Sequence, residues 1–493
     1  MMGSASVTPP VSGLGDLNNE SRLIATPWSR MVRGIGLGQY AVDFDPRAAA
    51  HIRAGFDMIA VKVSDSNAYH RFCRLMADFA LAVSDPRVRL DRDDVERRLG
   101  VLLEAVRAVP NPYWRLMAGC VLLDGFAKLG LDRTPLLTGR RDVPTEVLAT
   151  ADEIEPNGIE DENQGNHGDY ERLSAYSAVL LAYGRLGLQD RLVSGPRDYI
   201  REALGLLDRI PAPFFRGRGG SMLFSAISLL GYDAIALDGE RDHLRDVLEY
   251  LDRVDELRLP PAFPQPMTEA FGKVYPLLTM LNAVAATGRA EYLTHGRDRL
   301  AQARELVDAL APAERTHMGL YYIVALHNLG RLHEQLPSLD GFVEGIVGQW
   351  RGLDPGDNYF LNGIAYPYMI QTAMMTGRMD LVSEEMLNRV VDSYPDYERH
   401  HEDRVNRPYP FAYLVNILGE LGAADRLFEG RARYDGDSPF SWVAAHLSPD
   451  AEEEGSRLHM LGHALVSYAL RQRGRNAAPG EVFANFKFPL ALS

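Results

Sequence analysis

Histidine and tyrosine stand close together in one short polar segment of this chain, residues 158–176. Histidine is suited to general acid–base chemistry because its side chain exchanges a proton near neutral pH, and tyrosine can act as its partner. His167 and Tyr170 occur just before an apolar helical pattern, with Asn166 next to the histidine and Glu162 slightly earlier. We therefore predict that His167 is a general acid or base and that Tyr170 is its partner, with Asn166 and Glu162 binding substrate.

Three further polar segments precede apolar helical patterns, and we interpret all four as loops that enter inner helices. His317 is a second candidate for proton transfer, and Tyr359 is an alternative tyrosine partner for His167. The residues that would orient substrate or stabilise a developing anion are Arg216, Arg218, Asn358, Asn362 and Tyr366.

Each candidate also has a structural interpretation. Asp169 and Asp357 immediately precede helical patterns, where a carboxylate commonly caps the helix. Tyrosines at helical spacing, such as Tyr170 and Tyr366, are also typical of a core. The glycine-flanked arginines, Arg216 and Arg218, are consistent with an anion clamp and equally with a loop exposed to solvent.

Glycines at regular intervals reveal the elements that must position these residues. Eight apolar segments end in a glycine, and these glycines recur at about 42 to 57 residues, the length of two helices and two turns. A glycine there suits the left-handed residue that commonly terminates a helix. The closing glycines are Gly130, Gly187, Gly239, Gly288, Gly330, Gly377, Gly422 and Gly474.

A second kind of helix lies between the glycine-closed segments, and its charges fall on one face. Examples are the segments that start at Asp198 and Arg241. Amphipathic helices of this kind cover a core, whereas segments that are apolar nearly all round are buried on both sides. The pattern predicts an all-α fold of repeated helix pairs, either an α/α toroid resembling (α/α)6 with extra flanking helices or a broad helical solenoid. Residues 1–25 are predicted to be a flexible arm and residues 26–493 a single domain.

Composition narrows the classes of partner and cofactor. The formal net charge of −15 argues against nucleic acid and anionic membrane as partners, because both require a basic face. No long apolar run or secretory signal is present, so we expect a cytoplasmic protein. The two cysteines, Cys73 and Cys120, lack the spacing of a metal site, and no phosphate-binding motif occurs. We therefore predict a small-molecule substrate with no metal and no cofactor, and leave the oligomeric state open.

Two short motifs resemble those of α/α-toroid enzymes. The Asn166-His167-Gly168 stretch followed by Tyr170 resembles the corresponding stretch of alginate-lyase-type polysaccharide lyases. This resemblance implies that Asn166 and His167 neutralise a uronate carboxylate and assist proton removal, with tyrosine as acid or base. Asp357 to Phe360, with Ala365 and Tyr366 downstream, resembles the linalool dehydratase-isomerase family. That family uses active-site cysteines, and neither cysteine of this chain lies at the corresponding place.

These observations favour a lyase or a cyclase/isomerase that performs cofactor-free acid–base chemistry on a small or medium, terpenoid-like or uronate-like substrate in a central cavity. The alternative is a non-enzymatic helical-repeat scaffold that binds a peptide or protein partner on its concave surface.

Overall fold

The computed structural model describes residues 45–61, 67–137, 142–154, 168–211, 213–237, 241–253, 268–354, 359–398, 408–446 and 452–472. Every regular element in these ranges is a helix, which confirms the predicted all-α class. The predicted arm at residues 1–25 lies outside the described residues.

Helices of seven or more residues are numbered α1 to α18 in chain order, and they alternate between two kinds. The odd-numbered, outer helices are α1 (Pro46–Ala60), α3 (Arg92–Arg107), α5 (Val143–Thr150), α7 (Tyr199–Arg209), α9 (His243–Arg253), α11 (Arg299–Asp308), α13 (Leu339–Val347), α15 (Glu384–Asp392) and α17 (Pro439–Ala445). The even-numbered, inner helices are α2 (Ala68–Ser84), α4 (Pro112–Leu129), α6 (Gly168–Arg185), α8 (Pro213–Leu230), α10 (Glu269–Thr287), α12 (Pro312–Asn328), α14 (Tyr359–Met375), α16 (Pro408–Glu420) and α18 (Glu452–Arg471).

The two kinds differ in burial as the sequence predicts. Among the described residues of α8, none is exposed, whereas α7 buries Ile200 and Leu204 on one face and exposes Arg201 and Arg209 on the other. The predicted assignment of inner and outer helices is therefore confirmed for this pair. The inner helix begins and ends earlier than predicted, because it spans Pro213–Leu230 and a separate short helix, Asp233–Leu237, follows it.

Each inner helix packs against the next inner helix along the chain, and α18 packs against α2. The series of contacts between inner helices, followed along the chain from α2, thus leads back to α2. Neighbouring inner helices run parallel, since contacts join like ends. Phe214 near the start of α8 meets Tyr275 in the first half of α10, with ring centroids 5.4 Å apart. Near the other end of the same two helices, the Ser228 hydroxyl donates to the carbonyl oxygen of Ala286 at 2.8 Å.

Closing glycines end the inner helices in the left-handed conformation, as predicted. The φ angles of Gly130, Gly187, Gly288, Gly330, Gly377 and Gly422 lie between 66° and 72°. The amide of the residue after the glycine donates back to a carbonyl in the last turn, as Arg331 N donates to Leu326 O at 2.7 Å. At the end of α8 this role belongs to Gly231, with φ 77°, and not to Gly239 as predicted. Gly239 and Gly474 lie outside the described residues.

No helix in the described ranges is both long enough and apolar enough to cross a membrane.

We predict that Gly330→Ala destabilises the protein by about 1 to 2 kcal/mol, because a side chain disfavours the left-handed conformation. Gly345→Ala in α13 is the matched control. A Cβ at either position meets no atom within 4 Å, so only the backbone conformation differs. The control should stabilise by about 0.5 to 1 kcal/mol. Urea denaturation measures both values, and equal effects would contradict the assignment of Gly330.

Acidification below pH 6.5 should destabilise the fold through two half-buried histidines. Burial lowers the pKa of His51 and of His327 below the ordinary value of 6.5. The unfolded chain therefore binds protons at these positions more readily than the folded chain as the pH falls through 6.5, so the free energy of unfolding decreases. The melting temperature should fall between about pH 7 and pH 5.5, and should fall less in His327→Gln. A melting temperature that rises over this interval would show the opposite sign.

Candidate functional site

A continuous group of buried aromatic and basic side chains joins six successive inner helices near their amino-terminal ends. Its members come from α6, α8, α10, α12, α14 and α16, and each touches a member on a neighbouring helix. We call this group the aromatic cluster. It comprises Tyr170, Phe214, Phe215, Arg218, Phe271, Tyr275, His317, Tyr321, Tyr368 and Tyr413.

Three groups of the cluster that can exchange protons lie together on α12 and α14. The ring of His317 is 4.3 Å from that of Tyr368 and 5.5 Å from that of Tyr321, measured between centroids. The hydroxyls of Tyr321 and Tyr368 are 3.2 Å apart and share a hydrogen bond. All three side chains are at most 5% exposed. The cluster thus places three side chains that can act in general acid–base chemistry next to one another.

Arg218 places a positive charge in the same cluster. Its guanidinium lies over the ring of Tyr170 at 5.8 Å and over that of Tyr275 at 5.7 Å, and the residue is only 1% exposed. An arginine in this position attracts the electron-rich faces of both rings, and the attraction is stronger away from water. The same guanidinium could orient an anionic group on a substrate.

Two glycines flanking Arg218 allow the neighbouring helices to close around it. A Cβ on Gly219 would lie 2.8 Å from Leu173 on α6, and a Cβ on Gly217 would lie 2.8 Å from the Cβ of Pro276 on α10. Both glycines are within α8, so the predicted RGRGG loop is wrong and the segment is helical. Its glycines provide close packing, which brings Tyr170 and Tyr275 to the two sides of Arg218.

His317 and Arg315 also lie in a helix and not in a loop as predicted, because α12 already begins at Pro312. The helical turn nevertheless places His317 in the cluster. Tyr170, Arg218 and His317, predicted from three separate segments, are thus linked through Tyr275, which contacts Arg218 and, at 6.0 Å, His317. These three residues lie in one cluster, and the convergence of all four segments on one cavity stays a prediction.

Arg216 points away from the cluster, so the predicted clamp of two arginines is wrong. It donates a hydrogen bond to the carbonyl oxygen of Asp208 at 2.7 Å and lies over the ring of Tyr250 at 4.6 Å. These contacts place it in a surface cavity of about 320 Å³ between outer helices. The cavity's arginines, such as Arg241 with Asp208, form ion pairs with its carboxylates.

Tyr366 likewise faces the outer layer. Its hydroxyl accepts a hydrogen bond from Nε of Arg389 on α15 at 3.3 Å and donates to the carbonyl oxygen of Leu353 at 3.5 Å. Burial raises the pKa of this phenol above its ordinary value. Tyr366 therefore joins the two layers, and Tyr368, two residues later, occupies the cluster instead.

The remaining candidates cannot be placed in the cluster. Glu162, Asn166, His167 and Asn358 lie outside the described residues, as do the side chains of Tyr359 and Asn362. Asp169, for which capping is one interpretation, is 5% exposed and binds Arg209 through both carboxylate oxygens, at 2.9 and 3.2 Å. It therefore connects α6 with the outer helix α7.

Sequence reasoning missed Tyr275, Tyr368 and Tyr413. The available signal was the recurrence of an aromatic residue in the first part of successive inner helices, which becomes informative only when the helices are aligned on their closing glycines. Among the described residues, no group of three or more His, Cys, Asp or Glu side chains could hold a metal ion.

Comparison with protein-family models, with curated protein sequences and with solved structures gave no match to this chain. The two short-motif resemblances therefore stay untested.

We predict that Gly217→Ala destabilises the protein by about 1 to 3 kcal/mol, since the ring of Pro276 cannot rotate away from the new methyl group. Gly220→Ala in the same helix is the matched control. Its Cβ would meet its nearest neighbours at 3.3 to 3.6 Å, so it should be neutral or stabilise slightly. Chemical denaturation compares the two, and a harmless Gly217→Ala would show that the helices do not depend on this approach.

Proposed function

We propose that the chain is an enzyme that performs acid–base chemistry without a cofactor, as a lyase or a cyclase/isomerase, on a small or medium organic substrate. The observation that carries the proposal is the aromatic cluster, in which His317 adjoins the hydrogen-bonded pair Tyr321 and Tyr368. Proton transfer by positioned side chains typically accelerates a reaction by about 10² to 10⁴. Elimination and isomerisation need little beyond such transfers.

In this proposal the histidine and the tyrosine pair exchange protons with the substrate. His317 takes or gives the proton at the reacting carbon or oxygen, and Tyr368 with Tyr321 supplies the opposite role. Arg218 orients a polar group or balances a developing negative charge. The aromatic rings of the cluster enclose the apolar part of the substrate, as they do in most small-molecule sites.

His167 remains a second proposed acid or base. It lies outside the described residues, but Tyr170, which follows it closely in the sequence, has its ring 4.9 Å from Phe215 in the cluster. Helix α6, which follows His167 in the sequence, therefore begins beside the cluster.

Packing favours an enclosed site over an open groove. We infer that the inner helices form a closed toroid, because α18 packs against α2 and the cycle of contacts includes every inner helix. A scaffold that binds a peptide along a concave surface requires an open superhelix with exposed aromatics. The cluster aromatics are instead buried.

The proposal predicts that His317→Gln lowers activity by about 10² to 10⁴ while the fold stays intact. The purified protein is incubated with a metabolite extract, and mass spectrometry identifies compounds that isomerise or lose a neutral fragment. Tyr368→Phe should also reduce the conversion. Tyr366→Phe, which alters the outward-facing tyrosine, is the matched control and should retain activity.

Three results would contradict parts of the proposal. Conversion that is unchanged in His317→Gln but lost in His167→Ala would move the proton-transfer role to His167. Conversion that requires an added nicotinamide or metal would exclude a cofactor-free reaction. A protein that converts nothing but captures a peptide through exposed aromatics would favour the scaffold alternative.

A further inference from the structure

A second set of polar side chains lies deeper in the inner helices, below the aromatic cluster. Successive helices each place an uncharged hydrogen-bonding residue three or seven positions after a cluster residue. These residues are Ser225 on α8, Asn282 on α10, Asn328 on α12, Gln371 on α14 and Asn416 on α16. We call these five residues the amide layer, after the carboxamide side chains of the four that are Asn or Gln.

Helix geometry puts the amide layer and the cluster on the same face. Residues three or seven positions apart lie on one side of an α-helix, one and two turns along its axis. Tyr368 and Tyr413 contact each other with ring centroids 6.0 Å apart on parallel helices. Gln371 and Asn416 each follow one of these tyrosines by three positions. The two amides therefore lie at one depth on neighbouring helices, one turn below the tyrosine contact.

One amide in the layer, Asn282, is satisfied within the protein. Nδ2 of Asn328 donates to Oδ1 of Asn282 at 2.8 Å, and Nδ2 of Asn282 donates to the carbonyl oxygen of Leu278 at 3.1 Å. Both hydrogen-bonding atoms of Asn282 thus have partners, which makes this residue a structural member of the layer.

Gln371 and Asn416 differ from Asn282, and so does Asn328, whose Oδ1 has no hydrogen-bond partner in the described part of the chain. Gln371 is 3% exposed and Asn416 is fully buried, yet Oε1 of Gln371 and Oδ1 of Asn416 accept no hydrogen bond within the described part of the chain. Buried side-chain oxygens in native proteins nearly always have a partner, from the protein, from ordered water or from a ligand. Two such oxygens at one depth indicate a partner shared between them.

We propose that Gln371 and Asn416 bind a neutral hydroxyl group, either of a bound ligand or of an ordered water molecule. A hydroxyl both donates and accepts, so it matches a carboxamide in either orientation of its oxygen and nitrogen. The layer itself contains no charged side chain, and burying an ion without a countercharge is unfavourable. If the proposed function holds, this subsite receives the hydroxyl end of a substrate whose reacting part lies beside His317.

A crystal structure of the wild-type protein tests the proposal without any assay of activity. We expect density for an oxygen atom about 2.7 to 3.2 Å from one terminal atom of each carboxamide, Gln371 and Asn416. A ligand hydroxyl donates its single proton to one amide oxygen and accepts from the nitrogen of the other amide, whereas water can donate to both oxygens. Solvent extraction of the same preparation, followed by mass spectrometry, distinguishes the two sources. A hydroxylated compound in the extract identifies a ligand, and density without such a compound identifies water.

Three variants complete the test. Gln371→Met and Asn416→Leu keep side-chain volume while removing the amides, so each should abolish the density, reduce any co-purified compound at least tenfold, and leave the melting temperature equal or higher. The matched control is Asn282→Leu, which removes the amide whose oxygen and nitrogen both have partners. It should lower the melting temperature and keep the density between Gln371 and Asn416.

Several results would overturn the proposal. The first is a wild-type structure in which the two amides bond only to each other. The second is density between them that refines as a charged ion, and the third is the absence of any density there. A fall in melting temperature as large in Asn416→Leu as in Asn282→Leu, with the oxygen density retained, would overturn it too. Should a variant fail to fold, the wild-type density decides alone. A protein without lyase or isomerase activity that still holds the oxygen atom would refute the proposed function and leave the subsite standing.

Discussion

Close approach of the inner helices α6 and α10 to α8 is the constraint on which the candidate site depends. Gly217 and Gly219 have no side chain, so a leucine on one neighbour and a proline on the other occupy the space beside them. Larger residues there would push the helices apart and separate the rings of Tyr170 and Tyr275 from Arg218. The position of Arg218 between two aromatic rings therefore depends on the lack of side chains at Gly217 and Gly219.

Burial of the inner helices on nearly every side explains why their few polar residues carry information. An outer helix can turn a charge to solvent, as α7 does with Arg201, and such a residue indicates little about function. A polar residue on an inner helix must find a partner inside the protein. Arg218, His317 and the amide layer are therefore among the positions where this sequence departs from the apolar pattern that its architecture favours, and departures of this kind often mark functional sites.

The all-α class, the alternation of two kinds of helix and most helix ends could be predicted from sequence. Apolar periodicity and closing glycines are local signals, and a residue such as Gly330 needs only its own helix to adopt the left-handed conformation. The candidate site was predicted less well. Arg216 and Arg218 are nearly adjacent in the sequence, but the helical rotation between them sends one to the outer layer and the other to the core. Their flanking glycines indicated a loop, because sequence alone does not distinguish glycine required by a turn from glycine required by a close neighbour.

Contact between α18 and α2 has a consequence for how the chain reaches its folded state. Residues far apart in the sequence meet there, and α1 is joined to the same end of the chain: the backbone amide of Asp45, at the start of α1, donates to the side chain of Gln472, 427 positions later, at 3.2 Å. On the ribosome the early helix pairs emerge first and can stack in order, since each needs only its neighbours. The exposed side of α2 has no partner until α18 has been synthesised. Until α18 has been synthesised, the nascent chain therefore presents an apolar helix face that chaperones can bind.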